Sequence, residues 1–317
     1  MSLTLSESET LFGQMLDGEM SDAVIKNTLI DMSERDETAE EIAGAVRAMR
    51  ARMIRINAPV GAIDVCGTGG DGAHSLNIST AVAIVVAACD VPVAKHGNRA
   101  ASSQAGAADT LEALGLNLDR AMATAEDSLG DLGICFMFAQ KYHPALAKLA
   151  PIRKEIGRRT IFNLTGPAAN PAGVKRQLIG VARPDFLAVY ADALNQLGYD
   201  DAMLVAGDEP LDELSISGAS SVVRLGKQVT RITPETAGLP QHPSQALKGG
   251  DAQYNAAALR RLLAGETGAY RDAVLLNAAA ALMVAGEADD WHSGVEEAAE
   301  AIDKGLAKAL LDCWIAY

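Results

Sequence analysis

From Gly61 onward the chain alternates short apolar runs with stretches of helical length, and this alternation restricts the fold more than any other feature. Ala62–Val65, Val91–Lys95, Ile134–Phe138, Gln177–Val181 and Ala202–Ala206 read as strands. Ser79–Cys89, Ala107–Leu114, Pro144–Ile156 and Asp185–Leu197 read as helices. Strands separated by helices pair in parallel, because a parallel pair needs a long crossover and a helix supplies it. The expected architecture is α/β, a mostly parallel central sheet flanked by helices. Ser221–Leu225 and Gln228–Ile232 read as a hairpin around Gly226-Lys227, and residues 252–317 as helices covering the sheet. Residues 1–56 read as helices only. There Ser6-x-x-Glu9 and Thr38-x-x-Glu41 match the capping-box pattern, and Leu11, Met15, Ile25, Leu29 and Met32 fall at helical spacings. Glu40, Glu41 and Arg47–Arg52 read as the solvated side of a helix ending near Arg55, with no chemistry of its own. The small helical part is expected to pack on another domain or a second subunit.

Composition excludes several functions. The 41 acidic residues against 27 basic ones give a net charge of −14, a surface that repels nucleic acid. The four cysteines have no CxxC spacing and read as reduced thiols. The first residues, MSLTLSESETLF, lack the basic and apolar regions of a signal peptide. The longest apolar stretch, Ala81 to Cys89, is about half of the roughly 20 residues a membrane span needs. A soluble, cytoplasmic protein without membrane or nucleic-acid partners is expected.

The first strand runs into Gly67-Thr68-Gly69-Gly70-Asp71-Gly72, which fits the GxGxxG dinucleotide fingerprint. Three features argue against a nicotinamide cofactor. The next helix begins only at Asn77-Ile78-Ser79-Thr80, which supplies its own cap. Asp71 would sit beside a pyrophosphate unless a cation lay between. The following strand ends at Lys95-His96, where a ribose site wants an acid. Phosphate binding accounts for the same residues: glycines turn N–H groups toward an anion, the helix start adds donors, and Lys95 and Arg99 add charge. Lys95 to Ser103 forms a second polar loop directly after a strand, in which His96 is either a base or a packed histidine. A third loop, Asp208-Glu209-Pro210-Leu211-Asp212-Glu213, offers the hard oxygen ligands Mg²⁺ prefers. Neighbouring residues on a strand point to opposite faces, so Asp212 and Glu213 can converge on a metal only from a loop or bend.

Together these segments resemble the anthranilate phosphoribosyltransferase family. The matching stretches are Gly67-Thr68-Gly69-Gly70-Asp71, Asn77-Ile78-Ser79-Thr80, Lys95-His96-Gly97-Asn98-Arg99, Arg159-Thr160-Ile161-Phe162-Asn163 and Gly166-Pro167. Asp212-Glu213-Leu214-Ser215 and Leu247-Lys248-Gly249-Gly250-Asp251-Ala252 also match, in family order and spacing. The resemblance implies a helical dimerisation domain of residues 1–60, joined by a helical insertion near 160–176, and a phosphoribosyltransferase-like α/β domain of residues 61–317, assembled as a homodimer. It implies Mg²⁺-dependent transfer of phosphoribose from phosphoribosyl pyrophosphate to anthranilate, within tryptophan biosynthesis. By position, Gly67, Gly70, Asp71, Ser75, Asn77, Ile78, Ser79, Thr80, Lys95, Asn98, Arg99 and Ser103 would contact phosphoribosyl pyrophosphate. Gly67, Asn98 and Arg153 would receive anthranilate, and Ser79, Asp212 and Glu213 would hold Mg²⁺. No acid–base residue is assigned; positioning and the metal carry the chemistry. Without the resemblance, Arg153 reads as a surface helix charge.

Three positions depart from the family pattern. Ala107 lacks a hydroxyl in Ala105-Gly106-Ala107-Ala108-Asp109, Gln140 replaces a frequent proline, and Ala168 a frequent leucine. Two rival readings are a nucleoside phosphorylase of similar architecture, disfavoured by Asp212-Glu213, and a non-catalytic nucleic-acid-binding relative, disfavoured by the charge.

Overall fold

The computed structural model describes residues 2–100 and 104–317. Three helices open the chain: α1 (Leu5–Asp17), α2 (Asp22–Glu34) and α3 (Ala39–Arg50). The capping box of α1 is Thr4 with Glu7, not Ser6 with Glu9: the Glu7 N–H donates to Thr4 Oγ1 and the Thr4 N–H to the Glu7 carboxylate. Both tetrads fit the pattern, and the helix starts at the earlier one, leaving Ser6 inside its first turn. Thr38 and Glu41 cap α3 as expected, but Glu41 is buried rather than solvated. It pairs with Arg35 at 2.5 Å and accepts the Leu3 N–H at 2.9 Å, which offsets the cost of burying its charge. Phe12, Met15, Leu16, Leu29, Ile42 and Val46 form the core of this layer. Helices α1 and α3 meet at Gly44, where an added Cβ would lie 2.5 Å from Ser8 Cβ and 2.7 Å from the Glu9 nitrogen.

Seven strands form one sheet: β1 (Ile63–Gly67), β2 (Val93–Gly97), β3 (Ile134–Phe138), β4 (Arg176–Gly180), β5 (Asp201–Gly207), β6 (Ser220–Arg224) and β7 (Thr230–Ile232), in the order β3-β2-β1-β4-β5-β6-β7. β1 to β5 pair in parallel, and the hairpin of β6 and β7 adds an antiparallel edge. Successive strand residues feed opposite cores, as the pleat requires. Leu178, Met203 and Val205 pack into one core, and Ile179, Ala202, Leu204 and Ala206 into that shared with α1 to α3.

Helices α4 (Ile78–Ala87), α5 (Ala107–Leu114), α6 (Leu118–Ala123) and α7 (Ala125–Leu132) connect the first strands. Between β3 and β4 the chain makes α8 (Ala139–Tyr142), α9 (Ala150–Ile156) and α10 (Phe162–Ala168), and residues 169–175 then turn into β4. The helix expected over Pro144–Ile156 is divided: a 3₁₀ turn, Pro144–Leu149, precedes α9. Pro151 has no N–H to give the preceding turn, which disfavours one continuous α-helix and suits the first turn of α9, where it stands. Helix α9 packs on α2 and α10 on α3, so the helical layer draws on chain from both sides of β1–β3. Helix α11 (Leu187–Gln196) follows β4, and α12 (Ala252–Leu263), α13 (Ala269–Ala285), α14 (Trp291–Asp303) and α15 (Leu306–Ala316) cover the other face. Among the described residues, no helix is long and apolar enough to cross a membrane.

The Gly44 contact yields a stability test. Gly44→Ala should push α1 off α3 and cost about 1–3 kcal/mol, the usual range for overpacking. Urea unfolding should show a lower midpoint with an unchanged slope.

Candidate active site

Strand order reverses beside β1: β2 and β3 lie on one side, β4 and β5 on the other. In an open α/β sheet such a reversal leaves a crevice at the carboxyl ends of the strands. A crevice of about 360 Å³ lies there, walled by the loops after β1, β2 and β5 and by the helices between β3 and β4. Of the residues expected to bind ligand or metal, Gly67, Gly70, Asp71, Ser75, Asn77, Ile78, Ser79, Lys95, Asn98, Arg99, Arg153, Asp212 and Glu213 all line it. Ser103 lies outside the described residues. Thr80 is buried behind the crevice wall, and its hydroxyl has no hydrogen-bond partner among the described residues.

Asp64, which the sequence did not single out, forms the floor. Its carboxylate is fully buried and accepts the N–H groups of Val65 and His96 at 2.7 and 3.2 Å. It also accepts Asn170 Nδ2 at 2.8 Å, Gln177 Nε2 at 3.1 Å and the Cys66 thiol at 3.4 Å. Burial raises its pKa, while the charge of Lys95 and these donors work the other way. Lys95 is itself buried, its ammonium donating to the Val65 carbonyl at 2.7 Å.

The glycine-rich loop accommodates the acidic loop. A Cβ on Gly67 would lie 2.0 Å from Asp212 Oδ2, and one on Gly180 only 1.5 Å from the Asp212 carbonyl oxygen. Only glycine at both strand ends lets Asp212 in. There Asp212 Oδ2 accepts the Gly69 N–H at 2.7 Å, and the Asp212 N–H donates to Asp71 Oδ2 at 3.2 Å. Asp212 and Glu213 lie on a run of bends between β5 and β6, so the condition for both to face one site is met. Burial, then the neighbouring Asp71, pushes the Asp212 carboxyl upward. Burial, then Asp212, does the same to Glu213, against which Lys95 and the Ser79 backbone N–H act.

These clustered acids with little cationic compensation suit a divalent cation. Among the described residues, no three His, Cys, Asp or Glu side chains form a ready-made metal cage. Mg²⁺ fits that arrangement, because it keeps several waters and is held by one or two carboxylates plus substrate phosphate.

One expectation needs correction. The Asn77 side chain does not cap α4. Its oxygen instead accepts Thr110 Oγ1 and Asn255 Nδ2, and its nitrogen donates to the Ala105 carbonyl. The Arg99 guanidinium, which lines the crevice, is also held from its own side by two carboxylates through Nη1. It is paired with Asp109 and Glu112 at 2.7 and 2.5 Å, and these partners raise its pKa. Arg99 therefore braces the loop it belongs to.

Helical residues complete the crevice, and of these Met49, Leu146 and His143 carried no signal of their own. Met49 of α3, Leu146, His143, Arg153 and Phe162 gather there, so α3 does contribute to the site. Arg153 is partly buried, with its guanidinium 5.6 Å from the centre of the Phe162 ring. It makes no ion pair among the described residues, and desolvation lowers its pKa. A planar cation left unpaired in a cavity suits a carboxylate ligand. Of the departures, Ala107 lines the crevice, whereas Gln140 is exposed and does not. Ala168 is buried and contributes its carbonyl, which accepts Arg50 Nε at 2.9 Å.

His96 is packed rather than poised as a base. Its Nδ1 lies 3.1 Å from the Gly166 carbonyl, and its ring centre 5.2 Å from that of His143. Burial, then His143, pushes its pKa down to about 3; burial pushes His143 down to about 4. Both rings are neutral when folded, whereas in the unfolded chain each takes a proton near its ordinary value of 6.5. A folded pKa below the unfolded one means stability is full above about pH 6.5 and falls as pH drops toward those values. Urea midpoints should decline between pH 6.5 and 4. His143→Gln should flatten that decline by at most about 1.4 kcal/mol per pH unit.

Comparison with known proteins agrees with this geometry. A family model described as "Glycosyl transferase family, helical bundle domain" matches residues 1–53, and one described as "Glycosyl transferase family, a/b domain" matches residues 60–308. The anthranilate phosphoribosyltransferase of Novosphingobium aromaticivorans is 64% identical over 314 residues, 98% of this chain and 95% of that protein. That of Sphingopyxis alaskensis is 62% identical with the same coverage. The crystal structure of the Thermus thermophilus enzyme superimposes with a TM-score of 0.94 at 42% identity, covering 100% of this chain and 96% of that one. The Saccharomyces cerevisiae enzyme in complex with phosphoribosyl pyrophosphate and Mg gives 0.89 at 26% identity, covering 98% and 92%. The chain belongs to the anthranilate phosphoribosyltransferase family of glycosyl transferases.

Proposed function

We propose that this chain transfers the 5-phosphoribosyl group from phosphoribosyl pyrophosphate to the amine of anthranilate, releasing pyrophosphate, in tryptophan biosynthesis. The observation that carries this reading is one crevice with two chemically distinct ends. Asp71, Asp212, Glu213 and Lys95 gather at the start of α4, and Arg153, with no ion pair among the described residues, lies at the other end.

In the reaction the bond from the ribose anomeric carbon to pyrophosphate breaks, its electron pair leaving with the pyrophosphate. The amine lone pair forms the new C–N bond, and the amine gives up a proton to water. Positive charge builds on the sugar and negative charge on the leaving group, as in other glycosyl transfers. The Lys95 ammonium and the glycine-rich loop at Gly67 and Gly70 would meet that negative charge at the crevice wall, which lowers the barrier without reorganisation. Asp212, Glu213 and Ser79 would hold Mg²⁺, whose charge offsets that of the departing diphosphate. Arg153 binds the anthranilate carboxylate with its fork, and Asn98 and Gly67 border the path to the ribose. Holding the weakly basic amine beside the anomeric carbon supplies much of the rate. Neutral His96 and His143 leave Arg153 as the charge that meets the carboxylate there.

The same reading assigns residues 1–60, with the helical segment that packs on them, to a domain through which two copies pair. Val24, Ile54 and Val60 support it, as large apolar side chains left exposed on that part. It further assigns the enzyme to the cytoplasm, in keeping with four free cysteines.

Anthranilate fluorescence should fall when phosphoribosyl pyrophosphate is added with Mg²⁺ and stay constant without it. Activity with thymidine and phosphate alone would instead indicate a nucleoside phosphorylase. Asp212→Asn combined with Glu213→Gln should reduce turnover at least about 100-fold, the scale of lost leaving-group stabilisation, with an unchanged circular dichroism spectrum. Arg153→Lys should raise the anthranilate KM about tenfold, since an ammonium cannot replace the bidentate contact. Sedimentation should give twice the chain mass.

A further inference from the structure

We propose that Thr110 and Asn255 are positioning residues for phosphoribosyl pyrophosphate. They hold the Asn77 amide in one orientation and so lock together the chain segments walling the phosphate end of the crevice. The inference rests on the crevice being that substrate's site.

The orientation follows from a single backbone donor. The Gly250 N–H can only donate, and it does so to Asn255 Oδ1 at 2.9 Å. That turns the Asn255 nitrogen outward, where Nδ2 donates to Asn77 Oδ1 at 2.9 Å. Asn77 must therefore present its oxygen at this point, and the Thr110 hydroxyl donates to the same oxygen at 2.5 Å. Both lone pairs are then used. The Asn77 nitrogen is left facing the second loop, where it donates to the Ala105 carbonyl at 3.3 Å. The Tyr270 hydroxyl donates to the Asn77 carbonyl at 3.1 Å, anchoring the same residue to α13.

Around this relay the segment before α12 lies along the glycine-rich loop. The Leu76 N–H donates to the Leu247 carbonyl and the Gly249 N–H to the His74 carbonyl, each at 2.8 Å, and Ser75 bridges Lys248. The glycine-rich loop has four successive turning points with positive φ, at Gly69, Gly70, Gly72 and His74. Such a backbone keeps much freedom unless it is tied. The ties converge on Asn77, the last residue before α4. Thr110 and Asn255 are buried and do not line the crevice, so any effect they have on ligand binding runs through Asn77.

Three variants test this: Thr110→Val, isosteric but without the hydroxyl; Thr110→Ser, which keeps it; and Asn255→Asp, which keeps the acceptor for Gly250 but sets oxygen against oxygen at Asn77. Binding of phosphoribosyl pyrophosphate with Mg²⁺ would be measured by calorimetry, and both KM values by the fluorescence assay. Thr110→Val and Asn255→Asp should weaken binding of phosphoribosyl pyrophosphate, and raise its KM, about five- to tenfold, the effect of one lost buried hydrogen bond. The anthranilate KM should stay within about twofold, and Thr110→Ser should match the wild type. Equal losses in the Val and Ser variants, or equal rises in both KM values, would mean a packing role and overturn the proposal. So would unchanged affinity in Thr110→Val and Asn255→Asp, whatever their melting temperatures. Wild-type protein that neither binds nor consumes phosphoribosyl pyrophosphate overturns the substrate reading itself, and that result precedes any variant.

Discussion

A buried carboxylate, Asp64, ties three neighbouring strands together beneath the crevice. Burying an ion costs several kcal/mol unless hydrogen bonds replace its water, and here donors from β1, β2, the turn before β4 and β4 itself do so. The loops that follow β1 and β2 therefore start from fixed points. The His96 N–H is one of those donors, so the residue that opens the second loop is tied to the strand that feeds the first. Gln177 extends the network: its Oε1 accepts the Tyr199 hydroxyl at 3.1 Å, and that hydroxyl accepts Arg50 Nη2 at 3.1 Å. A chain of buried polar contacts thus runs from the crevice floor into the last turn of α3. Part-satisfied networks of this kind are costly, so the layers are held to one relative placement.

Above that floor, two kinds of chain compete for the same space, and glycine settles the contest. The acidic loop reaches the strand ends because Gly67 and Gly180 have no side chains to exclude Asp212. The result concentrates negative charge where phosphate would bind, an arrangement that makes physical sense only with a cation between them. The opposite end is built differently. Arg153 is a lone cation against an aromatic ring, walled by Met49 and Leu146 and by two imidazoles kept neutral by burial. One crevice therefore carries opposite charges among its lining residues, acidic at Asp71, Asp212 and Glu213 and cationic at Arg153.

How much of this could be read from residue order depends on the range of the interaction. The strand–helix alternation, the hairpin and the α3 cap are local, and their elements appear within a few residues of where periodicity places them. Local ambiguity still misled at Ser6, where a second tetrad of the same pattern lies two residues earlier at Thr4. Glu41 looked solvated because its partners, Arg35 and the Leu3 N–H, are brought to it only by folding. Nothing in the loop of Arg99 announces that Asp109 and Glu112 brace its guanidinium.

Sequence by itself determined the α/β class, the helical start and the two polar loops after β1 and β2, because glycines, caps and apolar periods act over a few bonds. It also determined that the acidic pair had to lie on a bend if both carboxylates were to act together. Tertiary structure alone decided the state of each group: that Arg153 has no ion pair among the described residues, Arg99 is braced by two carboxylates, Asn77 is locked and His96 neutral. Those properties depend on burial and on partners distant in the chain, and one-dimensional order carries no record of either.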